Sequence, residues 1–438
     1  MEQYIMSRFH DPEATPSDDR PELLRVTQQL MKQNVKPKQL IAQITQASLD
    51  ANLRAEAARV IDAEHIPMSL SDALLRRALK VAQAIDESSW DADLLGLAGI
   101  LSHPMSFVVE LVLRKYDAAE TLKVDQHAMK RMLRELERGY LANPYHCSIH
   151  GADVAYTLHV MLEKGVEGKL GLTKLQLVSS IIAAAAHDFR HNGLTNQYLV
   201  ATNHPLALMY NDKAVLESMH ASEFFSLLHS DKELNIFAKL EPASKSAVRK
   251  TVIASILATD MAVHFDFLSR FQSSIVAVER DLSASPYTAD EQNFIISMLC
   301  HAADISNPAK NRSIYLDWTD RVLAEFYHVG DLEKEQGFPS ISMFCDRSQP
   351  KVQKCQNGFI TFIVKPMFAA WCEYVPSLHG MIMPLLEGNL SIWGADACKV
   401  PETQLFVDAA KAGWDYETAR WSLKEGMSSP DFAEGLLS

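Results

Sequence analysis

Basic side chains are in deficit: 42 Lys and Arg stand against 55 Asp and Glu, a formal net charge of −13 over 438 residues. Non-specific nucleic-acid and anionic-membrane binders need the opposite balance, so both classes are disfavoured. A negatively charged small substrate stays open, because a metal or a few cations in a pocket reverse the local field. Cysteine is scarce too, with six residues and no CxxC pair. That argues against a disulfide framework and a thiolate zinc site, and it suits a reducing, cytoplasmic setting. No apolar run approaches the roughly 20 residues that cross a bilayer; the most apolar stretch is residues 181–186. The first ten residues lack the apolar core of a secretory signal. No glycine-rich phosphate loop, GxSxG elbow or HExxH motif is present.

Glycine and proline are sparse, 17 and 18, and the period-two alternation of strands is rare. Apolar residues instead recur at three- and four-residue spacing, as in 175–186, 248–261, 294–303 and 314–326. The expectation is an all-α protein. Polar clusters at 17–19, 281–288 and 348–350 mark breaks. Residues 1–20 read as a flexible tail and 21–68 as a small helical module. Residues 69–400 read as one large helical domain and 401–438 as a helical extension.

Seven of the sixteen histidines fall between 146 and 220. Isolated ones such as His159 and His229 read as hydrogen-bonded or surface residues; paired ones invite another explanation. His146 and His150 are four apart, and on a helix that spacing puts both rings on one face. By itself such a pair is weak. His187 and Asp188 follow the apolar 181–186, which would deliver them to the interior at a helix end. A buried carboxylate needs a partner, and a divalent cation is a natural one. Asp304 closes another apolar run, with Pro308 behind it; alone it would read as a helix-end cap. Together, two His and two Asp, each at the end of a hydrophobic helix, form a mixed nitrogen and oxygen set. Such a set suits Zn²⁺, with a carboxylate able to bridge to Mg²⁺ or Mn²⁺. Two ions a few ångströms apart are the apparatus of metal-assisted phosphoester hydrolysis.

Seven blocks in order carry a family resemblance: YHxxIHxADV at 145–154, HDxxHxGxxN at 187–196, YNDxxVLE at 210–217, TDMAxHF at 259–265, HAADISNPAK at 301–310, EFYxxGDxE at 325–333 and CQxGFI at 355–360. Residues 70–400 resemble the catalytic domain of class I 3′,5′-cyclic nucleotide phosphodiesterases, an HD-type metal hydrolase family. The wording at 301–310, 345–347 and 358–366 leans toward its calmodulin-dependent subfamily. The resemblance implies an all-α, multi-helix fold and hydrolysis of a small-molecule cyclic nucleotide to a 5′-monophosphate. It implies no nucleic-acid partner and no membrane span. It leaves room for a homodimer and for calmodulin, which no segment here specifies.

Carried over residue by residue, His146 matches the general acid, and His150, His187, Asp188 and Asp304 match the ligands of the zinc-type ion. Asp188 matches the bridge to the second ion. His191 and Glu217 match residues that hold metal-bound waters. Gln356 matches the amide that reads the purine and Phe359 the ring that stacks on it, with Val322 and Phe326 opposite. Tyr145, Asn307, Tyr315 and Trp318 match the rest of the pocket. Without Gln356 beside them, Phe359, Val322 and Phe326 would read as ordinary helix core. An asparagine at position 307 suggests a preference for cyclic AMP, with cyclic GMP still accepted. Four places depart from the pattern: Cys147 for asparagine, Gly151 for alanine, Ser218-Met219 for Asn-His, and Met343 for proline. Two other readings remain, an HD-type hydrolase for other nucleotides and a non-catalytic cyclic-nucleotide sensor. The first would not need the blocks at 325 and 355, and the second would be favoured by a lost ligand or acid.

Overall fold

The computed structural model describes residues 61, 71–278, 281–282 and 285–394, together with the backbone of 414–415 and 420–421. The chain divides into two compact units, Met1–Lys80 and Val81–Ser438. The tail and small helical module expected at 1–68 lie almost wholly outside the described residues. Of the extension expected at 401–438, only Trp414–Asp415 and Arg420–Trp421 are described, and they pair as a two-residue antiparallel ladder.

Among the described residues everything else is helical or connecting chain. The described helices of eight residues or more are α1 (Asp72–Asp86), α2 (Pro104–Lys115), α3 (Gln126–Gly139), α4 (Ser148–Met161), α5 (Lys174–Ala186), α6 (Val215–Ser230), α7 (Pro242–Leu257), α8 (His264–Phe271), α9 (Ala289–Asp304), α10 (Arg312–Glu335), α11 (Val352–Phe359), α12 (Lys365–Tyr374) and α13 (His379–Ser391). The all-α expectation holds. The run read as 248–261 resolves into α7 and a separate 3₁₀ turn, Met261–Val263.

Three of these helices make the centre. A helix apolar on every side has to be buried on every side. In α4 every residue from Ile149 to Met161 is buried, in α5 every residue from Leu177 to Ala186, and in α9 every residue from Phe294 to Ala303. α5 packs against α4 and α7, and α9 packs against the same two. Sequence-local chemistry sets where two of them begin. Thr173 with Gln176 and Thr288 with Glu291 form capping boxes, each satisfying two backbone N–H groups that the first helical turn leaves orphaned.

Small side chains decide how closely α4 and α5 approach. Residues 183–186 are four alanines, and the Tyr140 hydroxyl donates to the Ala185 carbonyl at 2.8 Å. A Cβ on Gly151 would sit 2.7 Å from that hydroxyl and 3.0 Å from the Ala185 carbonyl oxygen. The departure from alanine at 151 therefore has a packing cause: Tyr140 occupies the space a methyl group would need.

Candidate active site

The three buried helices deliver side chains to one point. His150 lies in the first turn of α4, His187 caps the C-terminus of α5 with Asp188 behind it, and Asp304 is the last residue of α9. One ligand atom from each of the four lies within 4.8 Å of all the others. His150 Nε2 is 3.0 Å from Asp304 Oδ1 and 3.5 Å from Asp188 Oδ2. His187 Nε2 is 3.0 Å from Asp188 Oδ2 and 3.3 Å from Asp304 Oδ1.

The donor set fits a divalent cation. His187 Nδ1 donates to the Ala184 carbonyl at 2.8 Å, which leaves Nε2 as a lone pair directed at two carboxylates. His187 Nε2 and Asp188 Oδ2 are both buried without a hydrogen-bond partner. Two acceptors facing each other in the interior repel unless a positive charge sits between them. Burial alone would push the His187 imidazole down, yet Asp188 and Asp304 raise it well above its usual range. Burial would raise both carboxyls, but His187, chiefly, holds Asp188 and Asp304 well below the usual carboxylate range. The same field that draws a proton onto His187 would bind a metal, with Nε2 as ligand.

His146 does not share a helix with His150, contrary to the spacing argument. α4 starts at Ser148 with Cys147 as its N-cap, so His146 lies in the preceding loop. The two rings still face the same site, edge to face with centroids 6.0 Å apart. What places His146 is Glu325 of α10. Its carboxylate accepts from Nδ1 of His146 at 2.5 Å and from the backbone N–H groups of Tyr145 and His146 at 2.7 and 2.8 Å. Burial would lower the His146 pKa, but Glu325 and Asp188 outweigh it and raise it to about 9.

His146 also stacks on His191, centroids 3.8 Å apart, and His191 in turn on His220 at 5.3 Å. Gly193 N–H donates to His191 Nδ1, while His220 Nδ1 donates to the Phe189 carbonyl. Burial first, then for His191 the neighbouring His146 charge, keeps both rings neutral; His220 falls to about 4. Gly193 has φ +73°, so the turn that brings His191 back under His146 requires glycine. Glu217, near the start of α6, is held by the Asn196 side-chain amide at 3.0 and 3.2 Å. Desolvation raises its pKa to about 7.

The pocket residues fall into two connected groups. Tyr145 packs against His150 and Trp318, and its hydroxyl accepts from the Asn307 amide at 2.8 Å, which leaves Asn307 Oδ1 as an acceptor. Trp393 Nε1 donates to the Tyr315 hydroxyl at 2.6 Å, which donates to Gln356 Oε1 at 2.9 Å. Val322, Phe326 and Phe359 are half-buried on α10 and α11 and make no hydrogen bond, as apolar walls would.

Three contributors were not given roles from sequence. Glu325 and Asn196 stand inside motif blocks, at the first position of EFYxxGDxE and the last of HDxxHxGxxN, but nothing in their spacing points to His146 or Glu217. His220 had only its place in the histidine-rich stretch as a signal. Among the departures, Met219 is explained by packing: it is buried with Tyr198, Leu199, Val215, Leu216 and Val329. Cys147 makes no side-chain capping bond, and Met343 is 75% exposed.

Residues 145–385 match the family model described as 3′5′-cyclic nucleotide phosphodiesterase. The chain is 36% identical over 309 residues to 3′,5′-cyclic-AMP phosphodiesterase 4C of Rattus norvegicus, covering 69% of this chain and 57% of that protein. It is 35% identical over 305 residues to the probable 3′,5′-cyclic-AMP phosphodiesterase pde-4 of Caenorhabditis elegans, covering 69% of this chain and 45% of that protein. It thus spans about half the length of these curated relatives, whose names carry the cyclic-AMP rather than the calmodulin-dependent wording. The crystal structure of the phosphodiesterase domain of the RhoPDE fusion protein from the choanoflagellate Salpingoeca rosetta superposes with a TM-score of 0.65 at 28% identity. That likeness covers 74% of this chain and 98% of the other.

Proposed function

The chain belongs to the 3′5′-cyclic nucleotide phosphodiesterase family, and from that premise we propose that it hydrolyses 3′,5′-cyclic nucleotides to nucleoside 5′-monophosphates. Cyclic AMP is the preferred substrate and cyclic GMP is also accepted. The observation that carries the reading is the pair of buried, unpartnered atoms on His187 and Asp188. They stand in a four-ligand cluster beside a charged His146 whose Nδ1 is already taken by Glu325.

His150, His187, Asp188 and Asp304 would hold a zinc-type ion, and Asp188 would share a second, Mg²⁺ or Mn²⁺. Bound there, such ions supply Lewis acidity and hydroxide at near-neutral pH. The protein's own side chains do the rest. Glu325 fixes the ring of His146 through Nδ1, so Nε2 carries the proton that the departing 3′ oxygen needs. An alkoxide is a poor leaving group, and protonating it in the transition state is worth typically about 10²–10⁴-fold. His191, neutral and stacked on His146, holds the charged ring in plane without competing for its proton. Glu217, poised near neutrality, and Asn196 order the water side of the site.

Base recognition falls to Gln356 and Asn307. The hydrogen bonds from Trp393 to Tyr315 and on to Gln356 Oε1 support a fixed amide rather than a freely rotating one. Asn307, with one N–H given to the Tyr145 hydroxyl, offers Oδ1 to a donor at purine position 6, where adenine carries an amine and guanine a carbonyl. Incubating the full chain with cyclic AMP or cyclic GMP, with and without chelator, tests the proposal. Metal-dependent release of the 5′-monophosphate is expected. Binding of either nucleotide without turnover in metal-replete buffer would favour a sensor instead.

A further inference from the structure

The turn that presents Asn307 does not hold itself in place. Asp304 ends α9 and Arg312 begins α10, and between them Asn307–Ala309 forms a single 3₁₀ turn. Pro308, Ala309 and Lys310 are all buried, so their carbonyls need donors. The N–H groups close by are spent elsewhere. Ala309 donates to the Ser306 carbonyl at 2.8 Å, Lys310 to the Asn307 carbonyl at 3.1 Å and Asn311 to Asp91 Oδ1 at 2.9 Å.

Side chains from two distant parts of the chain supply what is missing. Asn389 of α13 donates from Nδ2 to the Pro308 carbonyl at 2.9 Å and to the Lys310 carbonyl at 2.8 Å. Both N–H groups of its amide are thereby used. Trp90 Nε1 donates to the carbonyl between them, that of Ala309, at 2.7 Å. Three consecutive carbonyls are thus held by two buried side chains, Asn389 at 3% and Trp90 at 4% exposure. Lys310 fastens the same turn to α4. Its ammonium donates to Thr157 Oγ1 at 2.8 Å, stands 3.7 Å from Asp153 Oδ1 and lies 4.5 Å over the Trp90 ring. Asp153 and Thr157 follow His150 at spacings that share a helix face.

We propose that Asn389 and Trp90 are positioning residues that set base preference by fixing the Asn307 turn. The part given to Asn307 rests on the function proposed above; the clamp on its backbone does not. Asn307 gives one N–H to the Tyr145 hydroxyl and keeps Oδ1 for a donor on the purine. A hydrogen bond depends on both distance and angle, so a turn free to shift loses that contact. Gln356 and Phe359 belong to α11 and keep their places. Cyclic AMP therefore loses binding that cyclic GMP, with a carbonyl at position 6, never had.

The test lets cyclic AMP and cyclic GMP compete for the full metal-loaded chain in one tube. Their kcat/KM ratio is independent of how much enzyme is active, so a variant that merely folds less well leaves it unchanged. Asn389→Leu keeps the branched shape and removes both donors. It should lower the ratio roughly fivefold or more, chiefly through KM for cyclic AMP, with zinc content at the wild-type level. Trp90→Phe removes one donor and keeps an aromatic ring, and should shift the ratio the same way by about two- to threefold. It carries the test should Asn389→Leu fail to fold. In an Asn307→Ala background neither change should lower the ratio further. Amide exchange over residues 305–311 should quicken in both variants while that of α5 stays constant. An unchanged ratio in a folded, active variant, or an equal drop in the Asn307→Ala background, would overturn the specificity role. Unchanged exchange would overturn the clamp. A wild-type chain that turns over neither nucleotide would count against the catalytic reading instead. The ratio of the two dissociation constants then replaces kcat/KM, and the exchange measurement decides the clamp as before.

Discussion

His146 illustrates how much one acidic side chain can decide. Glu325 accepts three hydrogen bonds around it and supplies the largest upward push on its pKa. His146→Ala is expected to lower kcat by roughly 10²-fold or more while metal content stays at the wild-type level. Zinc analysis of the purified variant checks this, since lost zinc would make the residue a ligand. Glu325→Gln should retain part of the activity but move its alkaline limb. The acid works only while protonated, and removing the carboxylate lowers the imidazole pKa. Activity should therefore fall off at lower pH than in the wild type, as a pH–rate profile would show.

The carboxylates behave differently. Asp188→Ala and Asp304→Ala each remove one of the two negative charges that face His150 and His187. Turnover should vanish and bound metal should drop, with thermal stability falling alongside because binding and folding are linked. Full turnover in either variant under trace-metal control would refute the metal-centre reading. At Asn307 the expected cost of substitution is specificity rather than rate. One or two hydrogen bonds, about 1–3 kcal/mol, correspond to a cyclic-AMP preference on the order of 10 to 100. Asn307→Ala should bring the kcat/KM ratio of the two nucleotides toward one.

Helix α4 sets the site by where it starts and how closely it packs. Its N-cap, Cys147, has the extended backbone of a capping residue, φ −120° and ψ 174°, but makes no side-chain capping bond. Cys147→Asn should raise thermal stability by about 0.5–2 kcal/mol, measured by unfolding at fixed metal loading. Gly151 presents the opposite case. Gly151→Ala drives a methyl group into the Tyr140 hydroxyl and the Ala185 carbonyl and should destabilise by about 1–3 kcal/mol. The Gly151→Ala/Tyr140→Phe double variant removes the nearest obstacle and should recover much of that loss. A purely additive double variant would show that the Ala185 backbone is the real barrier.

Over the whole molecule, burial of charge couples stability to pH. Asp320 of α10 has a buried, unpartnered Oδ1, and desolvation raises its pKa to about 7 against an ordinary value of 3.8. The folded state then binds more protons than the unfolded one between about pH 4 and pH 7. Its contribution is fully present below that window and lost as pH rises through it. Asp320→Asn lacks the titration, so its melting temperature relative to wild type should climb across that window by the equivalent of roughly 1 kcal/mol or more. A constant difference from pH 4 to pH 8 would show that Asp320 is solvated in solution.

Periodicity alone determined the all-helical class, because helices apolar on every side can satisfy neither water nor a strand's two faces. Sequence also placed His187, Asp188 and Asp304 at helix ends, since apolar runs stop where polar residues begin. The family resemblance is what assigned His150 the part of a ligand and His146 that of the acid; spacing alone offered only a weak pair. What spacing misplaced was the setting of His146: four residues separate it from His150, but a helix that starts at Ser148 leaves it in a loop. Glu325, Asn196 and Trp393 reach their partners across 179, 21 and 78 residues of chain. No local pattern encodes contacts of that range. They exist because α6 packs on α5 and α7, while α10 and α13 pack on each other and on the 307–309 turn that follows α9, and packing is decided by shape and burial across the whole unit.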